Sequence, residues 1–190
     1  MKFTIENYIK QHNSVIENFD HQEVGNAISL IKKTVEEGRR IAVCGNGGSA
    51  MAASHYITDW NKMVYSHTKV KFNGICLSDN VGLITAYSND LSYDEVFSEQ
   101  VKNLLYESDL LITLSGSGNS ENVVKATNVA NEMKVNTLTI CGYDGGKLKQ
   151  VSKNSVWIRS NDMQLCEDAQ TVFGHMVMKS LCNEDLFVPE

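Results

Sequence analysis

The sequence predicts an α/β protein, a doubly wound five-stranded parallel sheet with an N-terminal helical extension. After Gly38, short apolar runs alternate with longer segments of helical periodicity, and that alternation is the signature of a parallel sheet covered by helices on both faces. Before Gly38, apolar residues recur only at helical spacing. No low-complexity linker interrupts the 190 residues, and the one proline, Pro189, lies at the tail. The chain therefore reads as one domain, with helices over 1–38 and an α/β core over 39–190.

Residues 3–37 read as two helices. Phe3, Ile5, Tyr8 and Ile9 form one apolar stripe, Val24, Ala27, Ile28, Ile31 and Val35 a second, and Asp20 is the expected N-cap between them. The strand candidates are 40–44, 73–77, 109–114, 136–141 and 155–159. Helices are expected at about 49–63, 79–88, 93–105, 120–133 and 146–151, with a last one from 163 to roughly 184.

Composition narrows the function classes. A formal charge of −6 argues against a nucleic-acid partner, because binding a phosphate backbone draws on clustered Lys and Arg. Five cysteines in no metal-type spacing, with Cys44, Cys76 and Cys141 inside apolar runs, read as reduced thiols. The first residues carry no signal-peptide core, and no stretch approaches the ~20 apolar residues of a membrane span. A cytoplasmic protein is the expectation.

Two turns carry the chemistry. Leu110 to Leu114 runs into Ser115-Gly116-Ser117-Gly118-Asn119-Ser120, and Ile41 to Cys44 runs into Gly45-Asn46-Gly47-Gly48-Ser49-Ala50, each time strand, glycine and serine turn, then helix. Unpaired N–H groups and the positive helix dipole favour a phosphate at such a turn, and glycine permits close approach. A polar loop that merely caps a helix explains Asn119 or Ser120, but not Ser115, Ser117 and the second turn together. Neither turn has the G-x-G-x-x-G spacing, so no nucleotide cofactor is expected. Both turns lie at strand carboxyl ends, where open α/β sheets bind ligands.

His55 and Asp59 share one face of the helix after the first turn, suited to proton transfer or a metal, although on spacing alone a surface pair is the commoner origin. In the last helix Asp168 and His175 share a face, and Glu167 and Gln170 a neighbouring one. Asn89-Asp90 suits either a helix end or a sugar-hydroxyl contact.

Together these motifs resemble the sugar isomerase (SIS) domain family, and within it the phosphoheptose isomerases. The resemblance spans nearly the whole chain, through GNGGSA at 45–50, SDNVGLITAYSND at 78–90, SGSGNS at 115–120, GYDGGKL at 142–148 and EDAQTVFGH at 167–175. It implies a flavodoxin-like fold and a homotetramer with sites between subunits, in which residues 1–38 would serve assembly. It implies that Asn46, Gly47, Ser49, Ser115, Ser117 and Ser120 hold a sugar phosphate and that Asp90 approaches the sugar. The family's zinc set maps to His55, a carboxylate (here Asp59, one methylene short), Gln170 and a distal His that is Met178 here. The family's usual Arg is Met63. A thioether in place of an imidazole counts against zinc, and His175, almost a turn earlier, is the residue that could substitute.

The leading expectation is an aldose–ketose isomerase of a sugar phosphate, most readily a heptulose 7-phosphate, serving bacterial surface-polysaccharide or nucleotide-heptose precursors. Asp59 is assigned as base, His175 as partner acid, and Gln170 or Glu167 as the group that orients hydroxyls. The alternative is a non-catalytic SIS module that binds a sugar phosphate or a protein such as the bacterial replication initiator.

Overall fold

Five parallel strands in the order β2-β1-β3-β4-β5 form the centre of the molecule. The structure, a computed structural model, describes residues 3–182. The strands are β1 (Ile41–Gly45), β2 (Gly74–Cys76), β3 (Leu110–Ser115), β4 (Asn136–Cys141) and β5 (Asn154–Trp157). Strand order reverses between β1 and β3, which pair from Ile41↔Leu110 to Gly45↔Leu114, so the two glycine-serine turns leave the sheet side by side. This is the doubly wound, flavodoxin-like order that the sequence predicts.

Alternate residues of β1 and β3 feed two cores, while β4 and β5 contribute to the first. Ile41, Val43, Leu110, Ile112 and Leu114 face α2 (His21–Glu36), α3 (Gly47–Thr68) and α8 (Met163–Leu181). Ala42, Cys44 and Leu111 face α5 (Ser98–Leu104) and α6 (Glu121–Glu132), with α7 (Gly146–Val151) at the edge. Both faces are covered, which is why β1 and most of β3 read as apolar runs, while the second face of β3 and β4 carries the buried threonines Thr113, Thr137 and Thr139, with Thr113 and Thr139 bonded at 3.1 Å.

The pairing of α3 with α8 positions the chemistry. Gly174 lets the helices close, since a Cβ there would strike the Tyr56 ring. Trp60 stacks on Tyr56 with ring centroids 4.9 Å apart, and its Nε1 donates to the Gly174 carbonyl at 3.0 Å. Tyr56 donates its hydroxyl proton to the Gln170 carbonyl. Buried aromatics with satisfied polar tips make this contact rigid.

Several boundaries differ from expectation for local reasons. Asp20 does cap α2, accepting from Gln22 N at 2.9 Å and Glu23 N at 3.1 Å, and these bonds hold its carboxyl below the usual range. The expected helix 93–105 is instead a 3₁₀ turn, Tyr93–Glu95, followed by α5. Its break falls where the buried Ser98 hydroxyl bonds the Glu95 carboxylate (2.6 Å) and carbonyl (3.1 Å), competing with the helical backbone. Helix α3 starts earlier and runs further than the expected 49–63, ending at Lys69 in the left-handed region (φ 63°). Helix α4 (Val81–Asp90) is shifted two residues by its cap, Asn80, which accepts from Leu83 N at 3.0 Å. Residues 183 and 184 of the expected last helix lie outside the described residues.

The first apolar stripe is mostly exposed, with only Tyr8 of it turned toward α8. Phe3, Ile5 and Ile9 are 76, 73 and 54 % exposed, and α1 (Ile5–Glu17) buries no residue. Only Val15 and Ile16, near its end, pack on the core. The second stripe behaves as expected, with Ala27, Ile31 and Val35 buried.

Candidate functional site

Glycine lets the two turns approach. A Cβ at Gly45 would lie 2.8 Å from Ser49 Cβ and 2.9 Å from the Leu114 carbonyl oxygen, so only glycine permits β1 to turn against β3. In the second turn Ser115 Oγ accepts from Gly118 N at 3.1 Å and lies 3.4 Å from Ser120 Oγ, while Ser117 Oγ accepts from Asn119 N at 3.2 Å. Gly118 has φ +67°, and a Cβ there would collide with the Gly145 carbonyl. The GYDGGKL segment thus clasps SGSGNS, with Leu148 N donating to Gly118 O (3.0 Å) and Lys147 N to Asn119 Oδ1 (3.1 Å).

Both turns open on one cavity of about 250 Å³, lined by Asn46, Gly47, Gly48 and Ser49 on one side and Ser115, Gly116, Ser117 and Ser120 on the other. Six of the seven expected substrate contacts therefore converge. Asp90 does not, being exposed at the end of α4, where it accepts from Asn89 Nδ2 at 2.8 Å. Met163, which no spacing rule singles out, forms part of the wall over Gly116, where a Cβ would strike its sulfur.

Glu167 stands between this cavity and a second cleft. Its carboxylate lies against the Gly48 backbone, where any Cβ would collide with it, and Glu167 and Gly48 line both spaces. The cleft, about 350 Å³, also takes in Met51, His55, Asp168 and Thr171. Tyr8 of α1 donates to Asp168 Oδ2 at 2.7 Å, and that bond, with burial behind it, pushes the phenol up to about 12. Asp168 in the cleft was legible as a helix-face neighbour of His175, but its partner Tyr8 was not.

At the His55 end of the cleft, three donors meet. His55 Nε2 lies 2.8 Å from His175 Nε2 and 3.4 Å from Asp59 Oδ2, and His175 Nε2 lies 3.8 Å from that oxygen. A triangle with those edges has its centre about 2.0 Å from every corner, the length of a Zn–N or Zn–O bond. Two imidazoles and a carboxylate are also a suitable donor set for zinc. The trio fits a divalent cation.

Gln170 lies elsewhere. It is fully buried, its Oε1 accepts from Ser49 Oγ at 2.9 Å, and its Nε2 is the one buried side-chain polar atom without a partner among the described residues. Five residues turn a helix by about 140°, so Gln170 faces inward while His175 faces out. Met178 and Met63 pack against the core. Burial pushes the thiols of Cys76 and Cys141 up to about 12 and that of Cys44 further, which disfavours their thiolate forms.

The 2-1-3-4-5 sheet and its paired glycine-serine turns define an α/β protein with a polar cavity at the strand ends, where such sheets bind ligands. The chain belongs to the SIS domain family, whose sequence profile matches residues 7–142. It is 35 % identical to a phosphoheptose isomerase of Aliarcobacter butzleri over 158 residues, 83 % of each chain. It is 34 % identical to one of Helicobacter pylori over 151 residues, 80 % of this chain and 78 % of that one. Among solved structures, the phosphoheptose isomerase of Neisseria gonorrhoeae superposes with a TM-score of 0.86 at 24 % identity, covering 93 % of this chain and 96 % of that one. The enzyme of Francisella tularensis gives 0.87 at 22 %, covering 95 % and 97 %. At those identities the structures establish the fold.

Proposed function

We propose that the protein is an aldose–ketose isomerase acting on a sugar phosphate, with sedoheptulose 7-phosphate as substrate. The observation that carries this is the adjacency of the two spaces. The serine-lined cavity and the cleft at His55 share Gly48 and Glu167 in their walls, so an elongated ligand held by its phosphate in the first would reach past Glu167 toward the second. The relatives named phosphoheptose isomerase support the choice of sugar.

The phosphate takes the serine hydroxyls and the helix N-termini, and its binding energy fixes the sugar carbons near Glu167. Glu167 then removes the proton from C1 of the ketose while the C2 carbonyl oxygen gains one, giving a cis-enediol. Return of a proton to C2, with loss of the proton on O1, gives the aldose. Glu167 suits this role better than Asp59, whose carboxylate sits beside His55 and His175 and does not line the cleft. His55, Asp59 and His175 would hold a divalent metal, which when bound would supply electrophilic stabilisation of the developing oxyanion. Gln170 is assigned to supporting Ser49, not to the metal. Assembly into a homotetramer would cover Phe3, Ile5 and Ile9, and the product would enter surface-polysaccharide precursor synthesis.

The test is a coupled assay with sedoheptulose 7-phosphate, run with added zinc and after chelation, on wild type and Ser117→Ala. Turnover by the wild type and a fall in kcat/KM of about tenfold or more in the variant are expected. No turnover of this or any shorter sugar phosphate, with or without zinc, would overturn the enzyme reading.

A further inference from the structure

The first anion turn is tied to the second by a pair of amides. Asn46 Nδ2 donates to Asn122 Oδ1 at 2.9 Å, and Asn122 Nδ2 donates back to Asn46 Oδ1 at 3.0 Å. The Tyr93 hydroxyl donates to the same Asn46 oxygen at 2.7 Å. Asn46 is the N-cap of α3, yet its side chain makes no capping bond, and Ser120, the N-cap of α6, makes none either. The amide that would ordinarily close one helix start is spent on bridging two. Asn122 is 2 % exposed and does not line the cavity, whereas Asn46 does.

We infer that Asn122 and Tyr93 are positioning residues that fix the Asn46 amide and hold the two anion-binding helix starts at one spacing. With its oxygen taken by two donors, Asn46 has one N–H left, the atom an anion can use. The spacing matters because a phosphate must reach both turns at once, and a gap wrong by a few tenths of an ångström forfeits one set of donors. The inference rests on the phosphate reading of the cavity and adds residues that act without touching the ligand.

Titration calorimetry with inorganic phosphate tests it on wild type, Asn122→Ala, Tyr93→Phe, the double variant and the same changes in an Asn46→Ala background. Asn122→Ala should weaken phosphate about tenfold and Tyr93→Phe about threefold, since each loses hydrogen bonds to one amide. Cobalt affinity at His55, Asp59 and His175 should stay unchanged in both, which a general loosening of the fold would not allow. Because both act through one side chain, the double variant should be no weaker than Asn122→Ala, and both effects should vanish in Asn46→Ala. If the buried Asn122 cannot be replaced without unfolding, the exposed Tyr93 carries the same test. Phosphate binding by wild type, with both single variants within twofold of it or with effects that persist undiminished in Asn46→Ala, would overturn this inference alone. No phosphate binding by wild type would overturn it together with the phosphate reading.

Discussion

Replacing His175 by alanine removes one of three donor atoms that lie 2.8, 3.4 and 3.8 Å apart and leaves His55 and Asp59, an i,i+4 pair on a single helix. Losing only an outer partner of a metal ligand typically costs about 10–100-fold in affinity, so deleting a ligand should cost about 100-fold at the least. Gln170→Ala is the matched control. Gln170 is buried against Ser49, about 140° around α8 from His175, so its loss should leave metal affinity within about threefold. Cobalt(II) is the probe, because a tetrahedral site gives it an absorption spectrum that can be titrated and then displaced by zinc. Retention of cobalt by His175→Ala together with its loss in Gln170→Ala would refute the donor set, and would mean that the Gln170 amide leaves Ser49 for the metal.

Gly48→Ala should displace the Glu167 carboxylate and lower kcat about 100-fold, while the melting temperature stays within a few degrees because Glu167 can swing outward. Tyr8→Phe tests a linkage. The folded phenol titrates near 12 against about 10 unfolded, so its bond to Asp168 stabilises the protein fully below pH 10 and is lost as pH rises through 12. The melting-temperature gap between wild type and Tyr8→Phe should therefore close over that window, and a gap that widens would reverse the assignment. Phe173→Ala, in the fully buried contact of α8 with Tyr56, should cost about 3–5 kcal/mol in urea unfolding.

Much of the architecture was written locally. Strands buried on both faces appear as apolar runs, and the two turns stand out because only glycine fits against the neighbouring backbone at Gly45 and Gly118. The start of α5 was misjudged because the Ser98–Glu95 bond competes with a helical pattern that the apolar spacing alone favours. The apolar stripe of α1 is legible from its spacing, but periodicity shows only that a face is apolar and not what covers it, and Phe3, Ile5 and Ile9 are exposed.

The sequence by itself determined the strands and helices, their order along the chain, the two glycine-serine turns and the pairing of His55 with Asp59, since each depends on neighbours within a few residues. Tertiary structure decided which distant groups meet. The packing of α3 on α8 brought His175 rather than Gln170 to His55, set Glu167 against Gly48 between two spaces, and joined Asn46 to Asn122 across 76 positions. Rotation around a helix is readable from spacing, but the azimuth at which two helices face each other is set by the close contact at Gly174 and the Tyr56–Trp60 stack.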